Sequence, residues 1–400
     1  MKKSLKLVVL FCVGLSSFCL GQANLSNTDI VKLDFKILEE KKAGLLLKDA
    51  ALLPAYNELI KNADLLLSYQ PVSVMEKTEI PPSGSKHDYM SIGPYWWPDP
   101  LKADGLPYIR KDGVVNPEVH NYPDKESMPK LCENMYSLAL AYYFSGNEKY
   151  AKHVSKLLSV WFLDSATKMN PNVQFGQAIK GVTTGRAEGV IDTRQFIFAL
   201  DAVELIKPSL YWPKQKNDAL KEWFTAYLKW LNTSEIGKDE MNAKNNHGVW
   251  FDAQALSFAL FIGDKKEANK IVERASERLD KQMDRNGFFP FEMERTTSLH
   301  YSVFILNAFN IIAQLSEKTD RNFYSLQTKS GKSLQMGINT MIPFLSDPTK
   351  WTGKQIKPFH SSDGYALLLR SASKYNCTDC IEIIKGKAGK NVKKTLFNLL

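Results

Sequence analysis

Apolar residues recur at every third or fourth position along most of this chain, which is the spacing that an amphipathic α-helix requires. Alternation of apolar and polar residues, the pattern of a half-buried strand, is scarce. The pattern therefore predicts an all-α fold. The segments with helical spacing are 46–67, 130–143, 150–162, 193–206, 223–231, 249–261, 265–283, 299–315, 331–344 and 365–373.

Short polar turns separate several of these segments, such as Ser-Gly-Asn at 145–147 and Gly-Asp-Lys at 263–265. Helices joined by such short turns pack as antiparallel hairpins. A series of hairpins that curves round on itself forms an (α/α) toroid or an incomplete barrel, whose central groove suits a long polymer. Because no Ser/Gly-rich linker divides residues 22–400, we expect them to form a single toroid domain.

Residues 1–21 have a different character. Lysines precede an apolar run over 7–20, and small residues follow near Gly21, which is the pattern of a secretory signal peptide. The run is too short to span a bilayer comfortably. We therefore expect a periplasmic or secreted protein without a membrane span.

The formal net charge of the whole chain is +9, and the leader carries lysines but no acidic residue. The surplus that remains after its removal is compatible with an acidic polysaccharide as partner. Export and the lack of a dense basic helix disfavour nucleic acid.

One long section, 80–122, lacks helical spacing and is rich in Pro, Gly, Asp and aromatic residues. A loop of this length inside a compact domain is usually functional. Tyr95, Trp96 and Trp97 could stack on sugar rings there, and Lys86 could meet a carboxylate. The alternative is that the tryptophans only hold the loop against the helices.

Cys377 and Cys380 have the spacing of a redox or zinc motif, but no second pair or neighbouring His completes a metal site. In an oxidising compartment they could form a local disulfide. We expect neither a metal nor an organic cofactor.

A polar cluster, Asn245, Asn246 and His247, directly precedes the helical pattern that begins at Val249. Backbone donors and the dipole at a helix N-terminus favour an anion, so Asn246 and His247 are candidates for neutralising an acidic substrate, with Asn245 a weaker one. The alternative is that Asn246 caps the helix and His247 is an ordinary surface residue.

A second cluster contains Arg295, His300 and Tyr301 and follows a turn at 287–290. If Arg295 lies in the loop and Tyr301 in the first helical turn, both can face one groove. His300 would then point elsewhere on a regular helix, so it is a lesser candidate.

Arg186 and Arg194 belong to another polar stretch at the start of a helix. Either could bind a substrate carboxylate through two hydrogen bonds. Equally, these arginines could pair with neighbouring acids and serve the fold alone.

These residue types suit β-elimination on a uronic-acid polymer. The C5 proton lies next to a carboxylate, and donors that neutralise this carboxylate stabilise the developing enolate. A base must take the proton and an acid must protonate the departing O4. When both lie on one face of the sugar, a single Tyr can act twice, and cationic neighbours would lower its pKa for the first step.

Two other functions remain open at this point. A glycoside hydrolase on a similar toroid would need two carboxylates flanking the bond, and Asp192, Asp252, Glu292 and Glu294 are available. A non-catalytic protein could bind acidic glycans through its aromatic and basic residues alone.

Three stretches in order, 86–100, 245–250 and 294–301, resemble the alginate lyase superfamily of helical toroid enzymes. The likeness spans roughly 80–369 and is closest to polysaccharide lyase family 38, more distantly to family 5. It implies metal-independent β-elimination at C5 of a 4-linked uronate such as mannuronate-rich alginate, or glucuronan. The family pattern implies that Asn246, His247 and Arg295 bind the substrate carboxylate. It also implies that Tyr301 carries out the proton transfers. The family 5 pattern has one more residue between Arg and Tyr, which leaves open a share for His300.

Overall fold

A computed structural model describes residues 34–388 and 398–400, so the leader at 1–21 lies outside the described residues. Helices dominate this part of the chain. They are α1 (Phe35–Leu46), α2 (Leu53–Leu66), α3 (Asp124–Ser145), α4 (Glu148–Leu158), α5 (Phe196–Ile206), α6 (Lys214–Thr233), α7 (Glu235–Met241), α8 (Asn246–Ile262), α9 (Lys265–Gln282), α10 (Pro290–Met293), α11 (Ser298–Ser316), α12 (Leu334–Ser346), α13 (Tyr365–Lys374) and α14 (Thr378–Ala388).

The helices form two layers. The inner helices α3, α5, α8, α11 and α13 pack side by side in that order, and α2, α4, α6, α9, α12 and α14 lie against them. Helices α8 and α11 are buried on almost every face, whereas α4 and α9 bury one apolar stripe and expose charged residues. This difference assigns each helix to its layer, because only an amphipathic helix can face solvent. The arrangement confirms the predicted all-α toroid of helical hairpins.

Two of the hairpin turns are closed by glycine. Helices α3 and α8 end at Gly146 and Gly263, which have φ angles of 68° and 87° in the left-handed region that glycine tolerates best. The side chains of Asn147 and Asp264 then cap the next helices, α4 and α9, by accepting hydrogen bonds from backbone N–H groups. Both turns were expected from the sequence.

The long section at 80–122 is irregular, as predicted, but it contains short strands. Strands β1 (Met90–Ile92) and β4 (Phe175–Ala178) pair in parallel, and β2 (Trp96–Trp97) pairs antiparallel with β3 (Ile109–Arg110). The section thus forms a small β-structured loop, with Tyr95 at the start of β2.

The remaining short elements are 3₁₀ turns and one π turn. The 3₁₀ turns are Val74–Glu76, Pro117–Asn121, Ala187–Gln195, Pro348–Lys350 and Ser361–Gly364, and the π turn is Ser159–Leu163.

Several helix boundaries differ from the predicted ones. The segment 46–67 is not one helix, because Lys48 has a φ of 58° and Asp49 forms a turn by accepting from the backbone of Ala51. Helices α1, α7, α10 and α14 were not predicted, since each is short or lacks a clear apolar stripe. Helix α3 begins before the predicted start and continues through Pro129.

The main apolar core is a connected cluster of buried side chains that runs from Phe35 to Leu399. A second, small cluster consists of Ile92, Val119, Tyr122 and Ala178. Cys377 and Cys380 form the disulfide that the sequence allowed, and Cys132 is buried with a free thiol. Within the described ranges, no group of three or more His, Cys, Asp or Glu side chains could hold a metal ion. Helix α11 is long and apolar enough to cross a membrane, but 72% of its most apolar stretch is buried inside the fold.

Candidate active site

The predicted site residues gather around one groove of about 510 Å³. The first turns of α8 and α11, the loop at 80–122 and the 3₁₀ turn Ala187–Gln195 form its walls. The residues singled out from the sequence that line the groove are Tyr95, Trp96, Arg186, Arg194, Asn245, Asn246, His247, Arg295 and Tyr301.

Tyr301 lies in the first turn of α11, as predicted, with its hydroxyl between two other polar groups. The Nη2 of Arg295 donates to it over 2.6 Å, and the hydroxyl of Tyr95 is 3.2 Å away. The guanidinium of Arg295 also lies over the ring of Tyr301, 3.6 Å from its centroid. The phenol is thus held by a cation on one side and a second phenol on the other.

The pKa of Tyr301 is raised, contrary to the expectation that cationic neighbours would lower it. Burial raises this pKa most and Tyr95 adds to the effect, while Arg295 opposes both. Removal from water disfavours a phenolate more than one guanidinium favours it. The neutral phenol is therefore the resting form.

Arg295 lies between α10 and α11, in the loop that the sequence predicted. Its Nε and Nη2 donate to the carboxylate of Asp112, with the shortest contact at 2.7 Å. Burial alone would raise the pKa of Asp112, but hydrogen bonds from Arg295 and Thr296 lower it to about 2. Asp112 was not predicted, because nothing in its local sequence marks the distant arginine that it holds.

His247 is held by a buried carboxylate that the sequence analysis also missed. Its Nδ1 lies 2.7 Å from Oε1 of Glu240 in α7. Burial opposes the imidazolium, but the charge of Glu240 and this hydrogen bond raise the pKa of His247 above its ordinary value. Their spacing in the sequence gives no signal for this pair, because Glu240 lies in α7 and His247 in α8.

Asn246 is the first residue of α8 and does not cap it. Asn245 is the cap, because its side chain accepts from the backbone N–H of His247 over 3.1 Å. The amide nitrogen of Asn246 donates to Glu292 over 2.8 Å, while its Oδ1 is buried without a hydrogen-bond partner among the described residues. One of the two N–H donors of the amide that was predicted to neutralise a substrate is thus bound to Glu292.

The two predicted arginines differ in their partners. Arg186 forms an ion pair with Glu188 at 2.9 Å and donates to Gln177, which fits the purely structural alternative. Arg194 donates from Nη1 to the carbonyl of Ile191 and lies 5.6 Å from the ring centroid of Phe304. In the part of the chain that the structure describes, no carboxylate forms an ion pair with Arg194. Its remaining donors can therefore reach an anion in the groove.

The aromatic residues of the loop divide between both proposed roles. Trp96 lines the groove, while Trp97 is absent from its walls because successive strand residues face opposite sides. The indole of Trp97 donates to the carbonyl of Val114, and Lys111 lies 5.0 Å from its ring centroid. These contacts of Trp97 fit the alternative role of holding the loop together, and its stacking on a sugar stays a prediction.

Lys86 does not line the groove, so this cavity gives no support to its predicted contact with a substrate carboxylate, which stays a prediction. Its backbone carbonyl accepts from the ammonium of Lys77. The chain turns inward only after this point, where Asp88 and Tyr89 become buried.

His300 faces a neighbouring cavity of about 400 Å³ that shares Tyr301 with the groove. Its Nδ1 lies 2.6 Å from the amide of Gln355, and its Nε2 lies 3.5 Å from Asp363. Burial lowers the pKa of His300. This orientation confirms that His300 points away from Arg295, and it gives no support for a shared role as base.

The carboxylates that a hydrolase would need are engaged or misplaced. Asp192 binds Lys125 at 3.0 Å, and Asp252 is held by two arginines of α9. Glu292 accepts from Asn246, and Glu294 is exposed and does not line the groove. No pair among these four flanks an open space where a glycosidic bond could lie.

Comparison with known proteins decides the family. The family model described as alginate lyase matches residues 73–351, which is more than half of the chain. The chain belongs to the alginate lyase family. This alginate lyase family member is accordingly a polysaccharide lyase, and the resemblance found in its sequence motifs is confirmed.

Solved structures agree with this assignment. An alginate lyase from Bacteroides ovatus is 34% identical, with a TM-score of 0.87, over 92% of this chain and 98% of its own. Alginate lyase A1-III from Sphingomonas species A1 has a TM-score of 0.52 at 16% identity, over 83% of this chain and 91% of its own. A variant of A1-III complexed with a tetrasaccharide has the same TM-score and identity, over 82% and 89%. At this identity A1-III supports the fold alone. No curated protein matched the chain.

Proposed function

We propose that this lyase cleaves a 4-linked polyuronate, with mannuronate-rich alginate as first substrate and glucuronan as second, by β-elimination after removal of the C5 proton. The observation that carries the proposal is the contact of the Tyr301 hydroxyl with Arg295 at 2.6 Å, in a groove that also contains His247. The tetrasaccharide bound by the A1-III variant supports an oligosaccharide in the corresponding groove of this fold.

The first part of the mechanism is charge neutralisation. The imidazolium of His247 and the guanidinium of Arg194 bind the carboxylate of the sugar that loses its proton. Both face a partly buried site, where such hydrogen bonds are stronger than in water. Asn246 holds Glu292 and so fixes the start of α8, which is a supporting role in place of direct carboxylate binding.

The second part is proton transfer by Tyr301. As a phenolate, stabilised by the hydrogen bond from Arg295, it takes the proton from C5. The C4–O4 bond then breaks, a double bond forms between C4 and C5, and the departing O4 receives the same proton from Tyr301. The proton and the leaving oxygen lie on one face in mannuronate, which suits a single phenol.

Glu240 acts through His247 as a positioning residue. Its carboxylate fixes the orientation of the ring through Nδ1 and favours the protonated form that a sugar carboxylate requires. Asp112 holds Arg295 in the same manner.

The deciding experiment combines a substrate panel with one substitution. The wild type should produce far-ultraviolet absorbance of an unsaturated uronate from polymannuronate, and more slowly from glucuronan. Tyr301→Phe should abolish this product while still binding the polymer in a pull-down. If Tyr301→Phe retained full activity, or if the wild type released only saturated sugars, the proposal would be overturned in favour of another base or a hydrolase.

We also propose that the protein is exported, supported by the leader pattern at 1–21. Expression of the full chain in a Gram-negative host should yield a shortened protein in the periplasm or medium, with an N-terminus near Gln22 by mass spectrometry. Full-length protein confined to the cytoplasm would contradict this proposal.

A further inference from the structure

The cavity beside Tyr301, which we call the Lys357 cavity, has a volume of about 400 Å³. It shares Tyr95, Tyr301 and Phe304 with the catalytic groove, so the two spaces meet at the reactive phenol. A polymer whose scissile bond lies at Tyr301 can therefore continue into this cavity. The proposed reaction uses none of the residues that line this cavity alone.

A strap of the chain at 351–360 forms one wall of the Lys357 cavity. The backbone N–H of Ser298 donates to the carbonyl of Lys354 over 2.8 Å, and the N–H of Ile356 donates to Thr296 over 2.9 Å. The amide oxygen of Gln355 also accepts from the backbone of Leu299. The strap is thus bonded to the same turn that begins α11 and carries Tyr301, so its side chains have a fixed position relative to the phenol.

Two side chains of the strap face the cavity with complementary chemistry. Lys357 is exposed and makes no ion pair with any described residue, while Phe359 offers a half-buried ring that meets His300 edge-on at 4.9 Å. An ammonium beside an aromatic face is suited to an acidic sugar, whose ring has an apolar face and whose carboxylate is charged.

Asn307 supplies an independent indication that a ligand belongs here. It lines the Lys357 cavity, and its Nδ2 donates to the carbonyl of Val303 over 3.1 Å. Its Oδ1 is shielded from solvent and has no hydrogen-bond partner in the described structure. A buried acceptor without a partner is costly, and a sugar hydroxyl in the cavity would satisfy it once the Asn307 side chain rotates toward the cavity.

We propose that the Lys357 cavity is a second uronate subsite, in which Lys357 binds the carboxylate of a sugar beyond the two that share the scissile bond. Every residue of a polyuronate carries one carboxylate, so the chain that leaves the groove brings the next charge to this cavity. His300, held by Gln355 and Asp363, forms part of the wall of this cavity. This inference rests on the proposed function, because it assumes that the groove cleaves a polyuronate.

The test compares oligosaccharides of increasing length. Lys357→Ala should raise KM for long oligomannuronates by about fivefold to tenfold, with kcat little changed, since it removes one charge-assisted contact. Lys357→Glu should raise KM further. The shortest oligosaccharide that the enzyme cleaves has the fewest sugars beyond the scissile bond, so it should show the smallest change.

Lys354→Ala is the matched control, because Lys354 lies on the same strap, is exposed and does not line the cavity. It should leave KM unchanged at every length. An unchanged KM in Lys357→Ala, or a loss that does not depend on length, would overturn the subsite while the wild-type lyase activity stood. Absence of unsaturated product from the wild type would instead overturn the proposed function.

Discussion

In the proposed reaction the Tyr301 hydroxyl acts as the base, so the pKa of this group determines how the rate depends on pH. Its pKa is raised by burial and by Tyr95 and is held down by Arg295. A base with a raised pKa is ionised only in a small fraction of molecules at neutral pH. The rate should therefore increase as pH rises, until loss of the proton from His247 weakens substrate binding.

Tyr95→Phe should move the rise in kcat to lower pH. The hydroxyl of Tyr95 raises the pKa of Tyr301, so its removal leaves more phenolate at a given pH, and kcat near neutrality should increase by up to about tenfold. The measurement is the pH profile of kcat on polymannuronate. Tyr108→Phe is the control, since Tyr108 lies in the same loop but its hydroxyl donates to Glu118. A shift to higher pH would show that Tyr95 assists ionisation.

Glu240→Gln should lower kcat/KM by about tenfold, because His247 loses the carboxylate that orients it and favours its charged form. The pKa of His247 should fall, so that the alkaline loss of substrate binding begins at lower pH. Glu235→Gln, at an exposed position of the same helix, should have no effect. An unchanged pH profile in Glu240→Gln would leave Glu240 with a structural role only.

The residues that carry the site could be predicted only in part. Asn246, His247, Arg295 and Tyr301 stand out because two short polar stretches interrupt apolar helices. Their partners Glu240, Asp112 and Glu292 could not be identified as such, because the pairs form between separate elements of the chain. Local sequence can identify a hydrogen-bond donor such as the Asn246 amide. It cannot identify the acceptor from another element, here Glu292, to which that donor is bound.

At the scale of elements, the first turn of α8 contributes both to the stability of the fold and to the geometry of the groove. Asn245 caps this helix by accepting from His247, just as Asn147 caps α4 by accepting from Lys149. Both bonds are 3.1 Å long, and only the first belongs to the groove. Substitution of each cap can therefore distinguish an effect on stability from an effect on activity.

Asn245→Ala and Asn147→Ala should each lower the free energy of unfolding by about 1 kcal/mol, as expected for a lost N-cap. Only Asn245→Ala should also reduce kcat/KM, because it loosens the turn that carries His247. Denaturant melts and initial rates provide the two measurements. Equal activity in both variants would mean that the cap has no influence on the site.

The presence of a helix could be predicted more reliably than the residues at which it begins and ends. Long periodic segments such as those of α8, α9 and α11 were found nearly to the residue, since burial imposes their pattern. Helix α7 is short and polar, so its sequence has no apolar stripe, yet it supplies Glu240. The π turn after α4 and the split between α1 and α2 depend on local backbone geometry that apolar spacing does not reveal.

At the scale of the whole molecule, the groove carries more cations than a small substrate needs. Arg110, Lys125, Arg186, Arg194 and Arg295 line it, and acidic partners offset several of them. This surplus can attract a polyanion over distance, and salt screens such attraction.

KM for polymannuronate should consequently rise by roughly threefold or more from low to high ionic strength, while kcat changes little. The rates can be followed through the unsaturated product in sodium chloride of increasing concentration. The Lys357→Ala variant should show a weaker dependence for long chains. A KM that is insensitive to salt would indicate that short-range contacts alone bind the polymer.

The reactive centre is divided between two parts of the chain that are far apart in sequence. Tyr95 and Asp112 come from the β-structured loop, whereas Arg295 and Tyr301 belong to the approach to α11. If the helices assemble before this loop docks, the molecule would have a native circular dichroism spectrum but an incomplete active site. During refolding, enzymatic turnover should accordingly recover later than helical ellipticity.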